Sequence, residues 1–101
     1  MSDIYNLLGL CRRANQLIFG EPLFKALRSH KVKLIVISKD ASKRTEKQLL
    51  NKCAYYRVPY IYFSDSNMLS HAIGKNNIKS LGITDDGFAQ RMIIIDRNEV
   101  G

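Results

Sequence analysis

The stretch that most restricts what this chain can become is Lys33-Leu-Ile-Val-Ile-Ser38. Its four consecutive apolar residues, three of them β-branched, leave no side of a strand for water, so a strand here must be covered on both faces. The arrangement that does this is a sheet lying between two layers of helices. The rest of the chain fits it, because helical and extended patterns alternate on either side of the run.

Ile4, Leu7, Leu8 and Cys11 recur at three- and four-residue steps, predicting an amphipathic helix over 3–13 with Asp3 at its positive end and Arg12 and Arg13 in its last turn. Gln16-Leu-Ile-Phe19 is a brief strand stopped by Gly20. Gly20-Glu21-Pro22 opens a second helix, since proline tolerates a first turn, and Leu23, Ala26 and Leu27 form its buried stripe until Ser29-His30. Beyond the central run, Asp40 or Ser42 caps a long third helix reaching about Tyr56, with Leu49, Leu50 and Cys53 inward. Pro59 precedes a strand at Tyr60-Ile-Tyr-Phe63. Ser64-Asp65-Ser66 caps a short fourth helix that buries Met68, Leu69, Ala72 and Ile73 and ends at Gly74. A polar loop over 75–79 leads to a last strand, Ser80-Leu-Gly-Ile83, and a final helix is expected from Phe88 to about Asp96.

At 101 residues the chain is expected to form a single domain, with one site. No apolar stretch approaches the roughly 18 residues of a membrane span, and the first 19 residues lack the order of a secretory signal. A cytoplasmic protein that leaves membranes alone is expected. Cys11 and Cys53 stand singly at helical spacing behind leucines, which reads as two small buried hydrophobes. His30 and His71 have no Cys, Asp or Glu at ligand spacing, and no GxSxG, GxxxxGK[ST] or GxGxxG motif is present. Asp85 and Asp86 precede a helix, where adjacent acids usually cap. No catalytic residue, metal or cofactor is therefore expected, and the chain is not read as an enzyme.

The formal net charge is +7. Its distribution is uneven: between Pro22 and Phe63 stand Lys25, Arg28, Lys31, Lys33, Lys39, Lys43, Arg44, Lys47, Lys52 and Arg57, against only Asp40 and Glu46. That concentration predicts one basic face for a polyanionic partner, without separating RNA from DNA or anionic lipid. Two segments could grip such a partner. Around Gly20, Glu21 and Pro22, a helix start offers backbone N–H groups to an anion, with Lys25 and Arg28 on one helical face beside it. From Ile73 through Gly74, Lys75, Asn76, Asn77, Ile78 and Lys79 to Ser80, a glycine-led loop could let Asn, Lys and an exposed isoleucine meet unstacked bases. On local pattern alone the first is also an ordinary helix start with solvated lysines, and the second a polar loop.

The order of elements adds to this. Leu8-Gly-Leu-Cys-Arg-Arg-Ala14, Phe19-Gly-Glu21, Lys25-Ala-Leu-Arg28, Val32-Lys-Leu-Ile-Val-Ile-Ser-Lys-Asp-Ala-Ser42, Cys53-Ala-Tyr-Tyr-Arg-Val-Pro-Tyr60, Leu69-Ser-His-Ala-Ile-Gly-Lys75 and Ile83-Thr-Asp-Asp-Gly-Phe-Ala89 together resemble the ribosomal protein 7Ae/30e family, especially its bacterial YlxQ-like branch. The resemblance spans nearly the whole chain. It implies an α/β/α sandwich with a mixed sheet of about four strands, and binding to kink-turn RNA, a bent element with tandem sheared G·A pairs. It further implies a ribosomal or other structured RNA as partner, possible work at the ribosome, and a monomer.

In the family a Gly-x-Asn-Glu stretch opening the second helix reads the G·A pairs, a following lysine meets phosphate, and the loop after the fourth helix encloses a flipped nucleotide. By position these fall on Phe19 to Pro22, on Lys25, and on Gly74 to Ser80. Glu21 stands in place of Asn and Pro22 in place of Glu, and the glycine is displaced by one residue. A carboxylate only accepts and Pro22 has no polar side chain, so a protein-protein module on the same fold is the alternative. A third expectation is a detached RNA adaptor resembling the substrate-binding part of certain RNA methyltransferases.

Overall fold

The computed structural model describes residues 3–100. In chain order the elements are α1 (Asp3–Arg13), β1 (Leu17–Ile18), α2 (Glu21–Arg28), β2 (Leu34–Ile37), α3 (Lys43–Tyr56), β3 (Tyr60–Tyr62), α4 (Ser66–Ala72), β4 (Ser80–Ile83) and α5 (Asp86–Val100). All four residues of β2 are fully buried, as a strand with no polar face requires. It lies between β3, which pairs with it in parallel, and β4, which runs antiparallel, while β1 pairs antiparallel with the other side of β4. The sheet order is β1-β4-β2-β3.

Side chains alternate across a strand, and β2 divides the core accordingly. Leu34 and Val36 pack with Ile4, Leu8, Leu69, Ala89 and Met92 beneath α1, α4 and α5. Ile35 and Ile37 pack on the opposite face with Leu23, Leu27, Leu49 and Cys53 beneath α2 and α3. The three-layer α/β/α architecture expected from the sequence is therefore the one present. Burial pushes the Cys11 thiol up to about 12, with Asp85 adding to the effect, and the Cys53 thiol up to about 11. Both are buried among apolar side chains, and the Cys11 thiol also donates to the Gln16 carbonyl at 3.1 Å.

Caps set the helix boundaries. Ser42 Oγ accepts from the Thr45 N–H at 3.1 Å to start α3, and Arg57, left-handed at φ +58°, ends it. Asp65 Oδ1 accepts from the Met68 N–H at 2.9 Å to start α4. The last helix departs from expectation at both ends. Asp85 Oδ2 accepts from the Phe88 N–H at 2.9 Å, which starts α5 at Asp86 rather than Phe88. At its far end α5 passes Asp96 and runs to Val100, because no proline or glycine stands between Asp96 and Val100.

Two glycines position α2. Gly20 turns the chain out of β1 at φ +73° and ψ −152°, a conformation essentially confined to glycine. Gly82, in β4, lets α2 settle onto the sheet: a Cβ there would lie 2.5 Å from Leu23 Cδ1, 3.2 Å from Val32 Cγ1 and 3.3 Å from Ile18 Cγ2.

Candidate nucleic-acid interface

Strand direction decides which loops meet. Because β1, β2 and β3 run one way and β4 the other, the carboxyl ends of the first three share one end of the sheet with the start of β4. Ile18 pairs with Gly82 and Ile37 with Ser80, while the Ser38 N–H donates to the Lys79 carbonyl at 2.9 Å and the Lys39 N–H to that of Ser64 at 2.7 Å. The turn at Gly20 to Pro22 and the loop from Gly74 to Ser80 are therefore neighbours at this end. The segments from β2 into α3 and from β3 into α4 join them, so three helix N-termini converge with their partial positive charge.

The first segment offers its side chains more than its backbone. Gly20 provides no side-chain cap, Pro22 has no N–H, and the Leu23 N–H already donates to the Gly20 carbonyl at 3.0 Å. The expected set of free amides is thus reduced, and exposed Glu21, Lys25 and Arg28 carry what chemistry the turn has.

The second segment is braced from below. The Lys75 N–H donates to the Ser70 carbonyl at 2.9 Å, and the Ile78 N–H to Ser70 Oγ at 2.7 Å, so one buried serine ties both ends of the loop. Gly74 and Asn77 take positive φ, +68° and +62°, to fold the chain back. What projects outward is Lys75, Asn76 and Asn77. Two residues assigned to contact from sequence sit differently. Ile73 is only 4% exposed and belongs to the core, and Ile78 is not an exposed isoleucine but packs half-buried against the same cluster. Both are drawn inward by the apolar surface beneath α4.

Lys79 is partly engaged as well. Its Nζ donates to Ser66 Oγ at 3.1 Å and lies 3.9 Å from Asp40 Oδ2, while Ser66 donates its hydroxyl and its N–H to the two Asp40 oxygens, each at 2.8 Å. This chain of bonds stitches the segment after β2 to α4 and to the start of β4. The Ser66 hydroxyl, foremost among several contacts, holds the Asp40 carboxyl below its ordinary value of 3.8. A lowered folded value means that the brace contributes fully above pH ~4 and is lost as pH falls through the folded value. We expect the Ser66 and Ile78 amides to lose hydrogen-exchange protection in that acid range, and Asp40→Asn to lower their protection at neutral pH and abolish the acid step. Unaltered protection in the variant would show that the brace contributes nothing.

With Asp40 and Asp65 occupied in these bonds, Lys39, Lys43 and Lys75 stand exposed around the loop end. Lys39 and Lys43 were not among the sequence-derived contacts. The available signal was that loops following parallel strands gather at one sheet end, which is where ligands of open α/β sheets bind. Among the described residues no three His, Cys, Asp or Glu side chains group to hold a metal, and no helix is long and apolar enough to cross a membrane.

Comparison with known proteins bears on this arrangement. The model of the ribosomal protein L7Ae/L30e/S12e/Gadd45 family matches residues 2–93. The chain belongs to this family. Other proteins similar to this L7Ae-family chain include RNA-binding protein YlxQ of Bacillus subtilis (strain 168), 39% identical over 90 residues that cover 88% of this chain and 90% of that protein. RNA-binding protein YlxQ of Enterococcus faecium is 40% identical over 87 residues, 85% of this chain and 84% of its own length. A Bacillus halodurans C protein of unknown function superposes with a TM-score of 0.91 at 36% identity, covering 96% of this chain and 99% of the other. The Giardia lamblia 15.5kD RNA binding protein superposes at 0.74 over 93% and 82% of the two chains; at 20% identity this likeness shows that the L7Ae-type fold is shared.

Proposed function

We propose that this L7Ae-family chain is a single, non-catalytic RNA-binding domain that works as a cytoplasmic monomer and grips a folded RNA at the loop end of its sheet. The observation that carries the reading is the convergence of the Gly20 to Lys25 turn with the Gly74 to Ser80 loop, imposed by the antiparallel pairing of β1 with β4. Exposed Lys25, Lys39, Lys43 and Lys75 meet phosphates there, and Asn76 and Asn77 have amides that both donate and accept toward unpaired bases. The names of the YlxQ relatives support RNA as the partner.

Kink-turn RNA, including kink-turns of the ribosome, is the target class we assign. Lys25 holds its place in the family pattern and Gly20 stands one residue from the family's glycine, whereas Glu21 is restricted to groups that donate, such as a guanine amino group. Exposed Glu21 and Pro22 are also what favours the second reading, a protein-protein module on this fold.

Titration with a kink-turn RNA, a plain duplex and ribosomal RNA at two salt concentrations tests the proposal. About four phosphate contacts give a log-log salt slope near −3 to −4, so fourfold more salt lowers affinity about 100-fold. RNA held no more tightly than an unstructured polyanion, together with protein partners that persist after nuclease treatment, would favour the second reading instead.

A further inference from the structure

Resting on that RNA-binding reading, we infer that the groove between α2 and α3 is a second contact for RNA: a track for an unpaired strand leaving the folded element held at the loop end. Two neighbouring depressions lie along these helices, the first on α2 and the second between α2 and α3. One is lined by Glu21, Pro22, Phe24, Lys25 and Arg28. The other shares Phe24 and Arg28 and continues to Gln48, Asn51 and Lys52. The groove thus begins at the candidate interface and runs down the helical face away from it.

Phe24 lines both depressions, and three further rings lie beyond their far end. Phe24 is half-buried between the helices, with Lys52 Nζ 5.5 Å from its ring centroid. Below it, His30 just after α2 and Tyr56 at the end of α3 meet edge to face with centroids 5.8 Å apart. Tyr55 stands against Tyr56 at 4.8 Å and is 79% exposed, a flat ring available for stacking. Apart from Glu21 at the upper rim, the surroundings are cationic. Residues 22–39 and 47–63 contain no acid, and Glu46 accepts a hydrogen bond from the Tyr62 hydroxyl at the edge strand of the sheet.

Dimensions select the strand type. Packed helices have axes about 8–10 Å apart, so the furrow between them is too narrow for a duplex but open to a single strand. Cations along a furrow, with an exposed ring beyond it, are the elements by which proteins hold single strands without sequence preference. The eight residues of α2 span about 12 Å, which suits a tail of about four nucleotides.

The test compares a kink-turn RNA with and without a short uridine tail, each extended in turn at the 5′ and the 3′ end, on the full chain. The tail at one end is expected to raise affinity about tenfold. The double variant Lys52→Ala/Tyr55→Ala is expected to remove that gain and to leave the untailed RNA within about twofold, with an unchanged circular-dichroism spectrum. No gain from either tail, a gain that survives the double variant, or equal loss for tailed and untailed RNA would each overturn the inference. If the untailed RNA fails to bind while a free uridine strand binds through Lys52 and Tyr55, the groove stands and the loop-end reading falls; if neither binds, both fall. Displacement of the tail by an acidic peptide at equal concentration would reassign the groove to a protein ligand.

Discussion

Lys25→Ala combined with Lys75→Ala is expected to weaken binding of a structured RNA about 100-fold without lowering the thermal midpoint by more than about 2 °C. Each lysine is exposed, one on the first turns of α2 and one in the loop after α4, so neither truncation opens the core. A charge-assisted hydrogen bond to phosphate contributes about 1.5 kcal/mol net, and two of them amount to two decades of affinity. Removing two phosphate contacts also flattens the log-log salt slope by about 2. Affinity and salt slope should therefore change together, in fluorescence anisotropy at several salt concentrations. A double variant that binds like the parent would place the grip elsewhere.

The second large effect is on the scaffold that holds those lysines. Gly82→Val should lower stability by about 1–3 kcal/mol, the usual cost of forcing extra methyl groups into a packed core. The added Cβ meets Leu23 Cδ1 at 2.5 Å, and Val32 and Ile18 on either side leave little room for it to turn away. For a domain of this size the thermal midpoint should fall by roughly 4–8 °C per kcal/mol. Gly82→Ala adds the Cβ alone, against the movable end of a leucine, and should cost less. Since Leu23 belongs to α2, the valine variant should also displace the helix that carries Lys25 and lose RNA affinity out of proportion to the unfolded fraction. A valine variant as stable as the parent would mean that α2 is not held against the sheet as described.

Local patterns in the sequence reported local structure well. The unbroken apolar run became the central strand, and helical spacing at Ile4, Leu7, Leu8 and Cys11 became α1 with the bounds expected. Ser42 and Asp65 cap helices because their short side chains reach back to amides three residues on. What the sequence concealed depends on partners remote along the chain. Periodicity says that a strand is buried but not which strand lies beside it, so the meeting of the Gly20 turn with the Gly74 loop became visible only through the pairing of β1 with β4. Lys79 reads as a free cation until Asp40 and Ser66 are brought against it. Ile78 reads as a loop residue until α4 turns the loop inward. Asp85 was recognised as a capping acid, yet which of the two neighbouring aspartates caps, and therefore where α5 begins, is decided by backbone geometry.

The central claim is that two separate segments, brought together by one strand pairing, form a single surface for RNA. Backbone amide chemical shifts recorded while a kink-turn RNA is added test it most directly. The expected result is a set of changes concentrated at Gly20 to Lys25 and at Gly74 to Ser80, moving in step with a single affinity. Changes confined to the opposite helical layer, around exposed Leu10 and Ile94, with those two segments silent, would contradict it.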